Sequence, residues 1–341
     1  MEPGDTDMQR VSSRKSQADS RSVIEEVLFC PTGACNLRCA PCAGHWVQAR
    51  LPKAAALRFL DGCSRAGIKR VGFTGGEPFL ALETLVALVR GAVKREMLFD
   101  RIMTNGVWFK DEAHLERAVR KVMDAGFDGE FCVSVDAFHE QDMQQVAQFV
   151  TCAVTQAGWP DVVSIASIWD VRRRETEQKL KQLAKHLGGK IERHPNTWAI
   201  RSPDAFLRVN PIDLSPIGPV AREKQPWDGR WFKEDYCQGP GRTFFVLSNG
   251  DVKPCCGYAT QLDDFTIGNI KRDTCRTLLA RARKNRLMAT VYAAGLTAIR
   301  QRLERQGVRF PGKTSNHCFF CHYILTELPR PLLESCLDAP A

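Results

Sequence analysis

From Glu25 to Val209 the sequence alternates short apolar runs with stretches of helical periodicity, and this alternation constrains the fold more than any other feature. Strands are predicted over residues 25–30, 69–73, 100–103, 130–135, 162–168 and 205–209. Helices are predicted between them, over 51–66, 80–94, 112–125, 141–157 and 176–187. In the second of these, Leu82, Leu85, Val86 and Val89 recur at the spacing of one helix face. Such alternation implies parallel strands joined by right-handed crossovers. Six units predict an α/β sheet curled into a partial barrel, short of the eight strands of a closed one. In folds of this kind functional groups gather at the carboxyl ends of the strands.

The flanking regions read differently. Residues 1–22 are polar, lack periodic apolar positions and are expected to be a disordered tail. Residues 212–227 are rich in proline and glycine and read as a linker. Beyond it, 243–247 is β-rich, Asn249-Gly250 is a two-residue hairpin turn, and 251–253 starts the return strand. A long helical stretch over 274–306 is expected to break at Gly295. The expected organisation is a tail (1–22), a barrel (23–228), a smaller hairpin-plus-helix domain (229–326) and a C-terminal tail (327–341).

Composition narrows the chemistry. The chain has 14 cysteines, no apolar h-region near its N-terminus and no run approaching a membrane span. A cytoplasmic location is therefore expected, where grouped cysteines bind metal or act chemically more often than they form disulfides. The net charge of +9 suits an acidic peptide or an anionic small molecule as substrate. No basic run interleaved with aromatics is present, so nucleic acid is not an expected partner. A membrane partner is not expected either.

Two motifs fall at predicted strand ends. Cys35-Asn-Leu-Arg-Cys39-Ala-Pro-Cys42 follows the first strand. Three thiolates from one loop can hold three irons of a cubane and leave the fourth open to another molecule. Zinc with a remote fourth ligand is the alternative, as is a set of unligated cysteines. Thr74-Gly75-Gly76-Glu77-Pro78 ends the second strand. Its glycines allow close backbone approach to a ligand, and its glutamate can pair with an ammonium group. An ordinary glycine-rich turn is the bland alternative.

Together these motifs resemble the radical S-adenosylmethionine (SAM) superfamily, whose hallmark is C-x3-C-x2-C after the first strand of a partial (β/α)6 barrel. The resemblance implies that the amino and carboxylate groups of SAM chelate the open iron of a [4Fe–4S] cluster. One electron then breaks a carbon–sulfur bond, giving methionine and a 5′-deoxyadenosyl radical that takes hydrogen from substrate. It also implies a flavodoxin- or ferredoxin-like electron donor. Gly75, Gly76, Glu77 and Pro78 match the family's GGEP motif, which binds the SAM amino group. The family usually has an aromatic residue before the third cysteine, with its backbone on adenine; here the position is Pro41, which keeps the carbonyl. Asn105 and Ser134, ending the third and fourth strands, are candidates for hydrogen bonds to ribose or the SAM carboxylate. Asp136 and His139 share the next loop and are candidates to face substrate.

A second cysteine set lies beyond the linker. Cys237, Cys255 and the pair Cys318-Phe-Phe-Cys321 make a plausible four-thiolate site, for zinc or for iron–sulfur. The spacing Cys237-x12-Gly250-x4-Cys255 resembles the opening of the twitch and SPASM accessory domains of radical SAM enzymes. The dense further cysteines of a full SPASM domain are absent, which implies the shorter twitch type with one auxiliary [4Fe–4S] cluster. Cys256 adjoins a proposed ligand and is a candidate ligand itself, or a hydrogen donor to a substrate radical. Of the remaining cysteines, Cys30, Cys63, Cys132 and Cys152 read as core, while Cys275 and Cys336 carry no pattern.

The reaction on substrate is less constrained. Relatives with such domains crosslink, epimerise or oxidise ribosomally made peptides, or oxidise an alcohol of a carbohydrate-like molecule. No spare segment of roughly 80–90 residues is available for a leader-binding domain, on ordinary domain sizes. Peptide modification is the leading expectation, small-molecule dehydrogenation the second, and a non-enzymatic two-cluster electron-transfer protein the third. The SAM seat at the second strand argues against the last.

Overall fold

In a computed structural model the described residues are 24–42, 48–193, 197–232 and 242–338. The 1–22 segment and Cys237 lie outside them. The predicted parallel core is present: β1 (Glu26–Phe29), β2 (Arg70–Phe73), β3 (Leu98–Thr104), β4 (Glu130–Ser134), β5 (Val163–Ile168) and β8 (Phe206–Ile212) lie side by side, all parallel. The crossovers are α1 (Lys53–Arg65), α2 (Leu82–Val93), α3 (Glu112–Met123), α4 (Met143–Ala157) and α5 (Arg173–His186). Their apolar faces and both sheet faces form one core, with Phe29, Phe73, Phe131 and Phe149 fully buried. Side-chain caps set the helix starts, as Asp111 does in accepting from the His114 amide of α3.

The structure departs from the sequence expectation at both ends of this sheet. An antiparallel hairpin, β6 (Lys190–Arg193) and β7 (Trp198–Arg201), precedes β8 and forms one edge. These strands are only four residues long, too short to declare a period against the polar surroundings of 188–197. At the other edge, β9 (Thr243–Val246) pairs parallel to β1, and β10 (Asp251–Lys253) and β11 (Gly268–Asn269) continue the sheet. The hairpin at Asn249-Gly250 is thus present, and its strands add to the edge of the barrel sheet beside β1. Its composition explains this: all four residues of β9 are buried, and a strand apolar on both faces needs cover on both. Helix α6 (Cys275–Lys284) supplies part of that cover and packs its start on α1, where a Cβ on Gly62 would lie 3.0 Å from the Cys275 Cβ.

The long C-terminal helix is divided earlier than expected. Asn285 separates α6 from α7 (Arg286–Arg305) and caps the latter, and Gly295 breaks it again with φ 79° and ψ 169°. A second core surrounds α7, α8 (His317–Thr326) and α9 (Arg330–Asp338). Residues 330–338, expected to be tail, are therefore helical and packed, with Leu333 and Cys336 buried. The 212–227 segment is also no loose linker. Leu214 and Ser215 are buried, and the Asn316 side chain donates to the Leu214 carbonyl (3.2 Å) and accepts from the Ser215 hydroxyl (3.0 Å). This strap ties the start of α8 to the barrel. Cys30, Cys63, Cys132, Cys275 and Cys336 are buried, whereas Cys152 is half-buried on the outer side of α4. No helix among the described residues is long and apolar enough to cross a membrane.

Candidate active site

The cysteine loop leaves β1 and is closed at its base by the Leu51 amide on the Pro31 carbonyl (3.0 Å) and the Gly33 amide on the Ala49 carbonyl (2.9 Å). The β2 turn is pressed against it. The Gly76 amide donates to the Thr32 carbonyl (3.0 Å) and the Glu77 amide to the Ala34 carbonyl (2.8 Å). Contact is so close that a Cβ on Gly76 would sit 2.1 Å from the Ala34 oxygen. Gly75, at φ +138°, holds a backbone conformation that a side chain would strain. Pro78 is buried at the first position of a short 3-10 turn that Glu77 caps. The GGEP turn thus seats the cysteine loop at the carboxyl end of the sheet.

Glu77 differs from the expectation of a carboxylate offered to an ammonium group. It is wholly buried, and its oxygens accept from the Thr104 hydroxyl (2.9 Å), the Asn105 amide (2.8 Å) and the Phe79 amide (3.3 Å). Burial pushes its carboxyl up to about 7 against the lowering effect of those three hydrogen bonds. Glu77 is a latch between the ends of β2 and β3. Asn105 likewise turns inward. Its side-chain nitrogen donates to the Asn36 side chain (2.8 Å) and to the Cys35 sulfur (3.7 Å), and its oxygen accepts from the Val107 amide (2.9 Å). Asn36 in turn donates to the Val107 carbonyl (3.0 Å). Asn105 therefore tethers the first cysteine rather than presenting a free amide to ribose.

Ser134 ends β4, and its carbonyl accepts from the Gln141 side chain (2.8 Å), which also donates to the Asn105 carbonyl. Gln141 was not singled out from the sequence. Its side-chain oxygen is buried without a hydrogen-bond partner among the described residues, so an acceptor is left between the β3 and β4 loops. Asp136 does not open onto a substrate space. It is 2% exposed and accepts from the Phe138 amide (2.9 Å) and the Ile168 amide (3.2 Å). It also holds the His139 Nδ1 at 2.8 Å. Burial pushes that imidazole down, but Asp136 and Cys39 outweigh it and raise it to about 9. Asp136 thus braces the ends of β4 and β5 and holds His139.

The second set converges in part. Cys255, Cys256, Cys318 and Cys321 line one small apolar cavity of about 90 Å³. Cys255 and Cys321 are buried, and Cys256 is exposed. Gly257 sits between the thiols: a Cβ there would lie 3.0 Å from the Cys318 sulfur and 3.6 Å from the Cys255 sulfur. Burial, reinforced by the neighbouring Cys256, Cys318 and Cys321, holds the Cys255 thiol well above its ordinary range. Such thiols stay protonated until a metal takes the place of the protons. No three His, Cys, Asp or Glu side chains among the described residues stand close enough to share a single metal ion. A cubane does not ask that of them, because each thiolate binds its own iron. The glycine cradle and the donor set fit a cluster here. Cys35, Cys39 and Cys42 offer the donor set for one in the loop after β1, where none of the three is fully buried.

Tyr258 is a second residue, after Gln141, that sequence reasoning missed. It opens a short 3-10 turn directly after Cys255-Cys256-Gly257, and its hydroxyl donates to the Pro41 carbonyl (3.1 Å). Burial, then Cys318 and Cys42, push the phenol up to about 12, so it stays a neutral donor. Nothing in the spacing of a single tyrosine marks such a contact across 217 residues of chain.

Two family models match. An iron–sulfur cluster-binding SPASM domain covers residues 237–302, and a 4Fe-4S single cluster domain covers residues 26–148. No curated protein matches the chain. Among solved structures, native anSMEcpe with bound AdoMet and Cp18Cys peptide aligns at TM-score 0.52 and 14% identity, over 92% of this chain and 98% of that one. Streptococcus suis SuiB bound to precursor peptide SuiA aligns at 0.47 and 12%, over 87% and 76%. BtrN in complex with AdoMet and 2-DOIA aligns at 0.45 and 14%, over 79% and 87%. The two matching models and the two groups of thiols define an iron–sulfur cluster-binding protein. The chain carries an iron–sulfur cluster-binding SPASM domain behind a 4Fe-4S single cluster domain, and it shares its fold with the AdoMet-bound anSMEcpe structure.

Proposed function

We propose that this chain is a radical SAM enzyme, with SAM and two [4Fe–4S] clusters as cofactors, that modifies a peptide, by crosslinking, epimerisation or oxidation, through hydrogen abstraction at the carboxyl end of its barrel. The observation that carries the reading is the joining of the Cys35–Cys42 loop, the GGEP turn and the β3 end into one connected unit through Gly76, Glu77 and Asn105. When bound, SAM and its cluster supply a 5′-deoxyadenosyl radical. The protein's part is to hold and orient. Cys35, Cys39 and Cys42 would ligate the first cluster. Cys255, Cys318 and Cys321 would ligate the second, with Cys237 as the fourth ligand. Gly75, Gly76 and the Pro41 carbonyl would seat SAM, with Ser134 and the open Gln141 oxygen beside them.

The peptide substrate is supported by the net charge of +9, which suits an acidic segment, and by a fold shared with a structure that holds a peptide. The same charge suits an acidic flavodoxin- or ferredoxin-like electron donor in a reducing, cytoplasmic setting. Cys256, exposed beside the second cluster site, is the candidate hydrogen donor of an epimerase.

The test is anaerobic turnover with SAM, a low-potential reductant and a library of acidic peptides in heavy water. Formation of 5′-deoxyadenosine together with a mass change in a peptide supports the reading. Deuterium on a product carbon assigns epimerisation, and its absence with loss of two hydrogens assigns crosslinking or oxidation. Turnover of carbohydrate-like alcohols with every peptide left unchanged would replace the peptide reading with small-molecule dehydrogenation.

A further inference from the structure

Tyr258 touches the surroundings of both cysteine sites at once. It lines the same cavity as Cys255, Cys318 and Cys321, and its hydroxyl donates to the Pro41 carbonyl at 3.1 Å. Pro41 and Cys42 share one peptide plane, in which the carbonyl and the amide point in opposite directions. The Cys42 amide donates to the Cys39 carbonyl (3.1 Å), so one end of that plane is held by the cysteine loop and the other by Tyr258. Proline contributes no N–H of its own, so the Pro41 carbonyl is its sole backbone hydrogen-bonding group. Two hydrogen bonds at opposite ends of a rigid plane fix its rotation, and with it the direction in which the Cys42 side chain leaves the backbone.

We infer that Tyr258 is a positioning residue that orients the Pro41–Cys42 peptide for SAM binding and couples that loop to the auxiliary cluster site. The inference rests on the radical SAM reading of the first loop. The alternative is that the ring only fills space at the domain junction. Tyr258→Phe separates the two, because it keeps the ring and its place in the cavity lining and deletes only the hydroxyl.

The variant and the wild type are reconstituted anaerobically and compared in iron content, in SAM affinity by equilibrium dialysis, and in amide exchange of the 36–42 segment without SAM. The variant is expected to hold about eight irons, as two cubanes require. It should bind SAM roughly 5- to 10-fold more weakly, as the loss of one hydrogen bond predicts, with faster exchange at Cys42. Unchanged affinity and exchange at full iron would overturn the inference. A fall in iron to about four would also overturn it, since the hydroxyl would then serve a cluster pocket rather than the loop's orientation. Failure of the wild type itself to bind SAM would instead strike the parent reading.

Discussion

Gly76→Ala is the sharpest test of how the first site is built. An alanine Cβ at this position would meet the Ala34 oxygen at 2.1 Å, the Ala34 carbonyl carbon at 2.5 Å and the Gly33 oxygen at 2.7 Å. All three are backbone atoms, so no side chain can swing aside. Ordinary carbon–oxygen contacts lie near 3.3–3.6 Å, so the cysteine loop must retreat by roughly 1 Å. Retreat loosens two hydrogen bonds, from Gly76 to Thr32 and from Glu77 to Ala34. Each contributes about 0.5–1.5 kcal/mol net. Overpacking a tight site costs about 1–3 kcal/mol more. The sum is about 2–6 kcal/mol, concentrated on the loop that carries Cys35, Cys39 and Cys42. The assay is iron content after anaerobic reconstitution, with the denaturant midpoint measured on the same samples. Iron should drop from about eight toward about four, leaving the auxiliary cluster, and SAM binding should be lost. Gly188→Ala is the control: its φ is +63° and nothing lies within 4 Å, so it should cost only about 1 kcal/mol and keep all the iron. A Gly76→Ala protein with full iron and wild-type SAM affinity would refute the packing argument.

Other substitutions probe neighbouring parts. Replacing Cys35, Cys39 and Cys42 together with alanine should leave about four irons and abolish 5′-deoxyadenosine formation, as read by iron assay and chromatography. Gly257→Ala should do the reverse to the iron, filling the cradle between Cys255 and Cys318 while SAM still binds; its φ of −93° is open to alanine, so any loss reflects the cradle. Glu77 gives a pH signature in the metal-free chain. Its folded pKa, about 7, lies above the 4.5 of the exposed group. The unfolded chain therefore releases its proton first, and the stability contributed by the buried neutral acid is present below pH 4.5 and lost as pH rises to about 7. The span corresponds to about 3 kcal/mol. Glu77→Gln should flatten that slope in urea unfolding, from a baseline lowered by about 1–3 kcal/mol because its amide faces the Asn105 N–H. An unchanged slope would place the titration elsewhere.

Much of this protein was legible from local pattern. The six parallel strands declared themselves because apolar runs of strand length, separated by helix-length amphipathic stretches, admit few other arrangements. The Cys35–Cys42 loop and the GGEP turn were visible because loop spacing and glycine permissiveness are properties of consecutive residues. The hairpin at Asn249-Gly250 was visible for the same reason. What local pattern could not decide was partnership. That β9 joins β1, that residues 330–338 fold onto α7, and that Cys318 comes beside Cys255 all depend on which buried surfaces meet. The roles of the polar residues were decided in the same way. Glu77, Asn105 and Asp136 are residue types that can bind a ligand or brace a loop. Burial and occupied hydrogen-bond positions, which exist only in the folded chain, make them braces here. Sequence determined which groups stand at the strand ends. Tertiary structure decided which of them face inward, because a polar side chain deprived of water must find its partner within the protein.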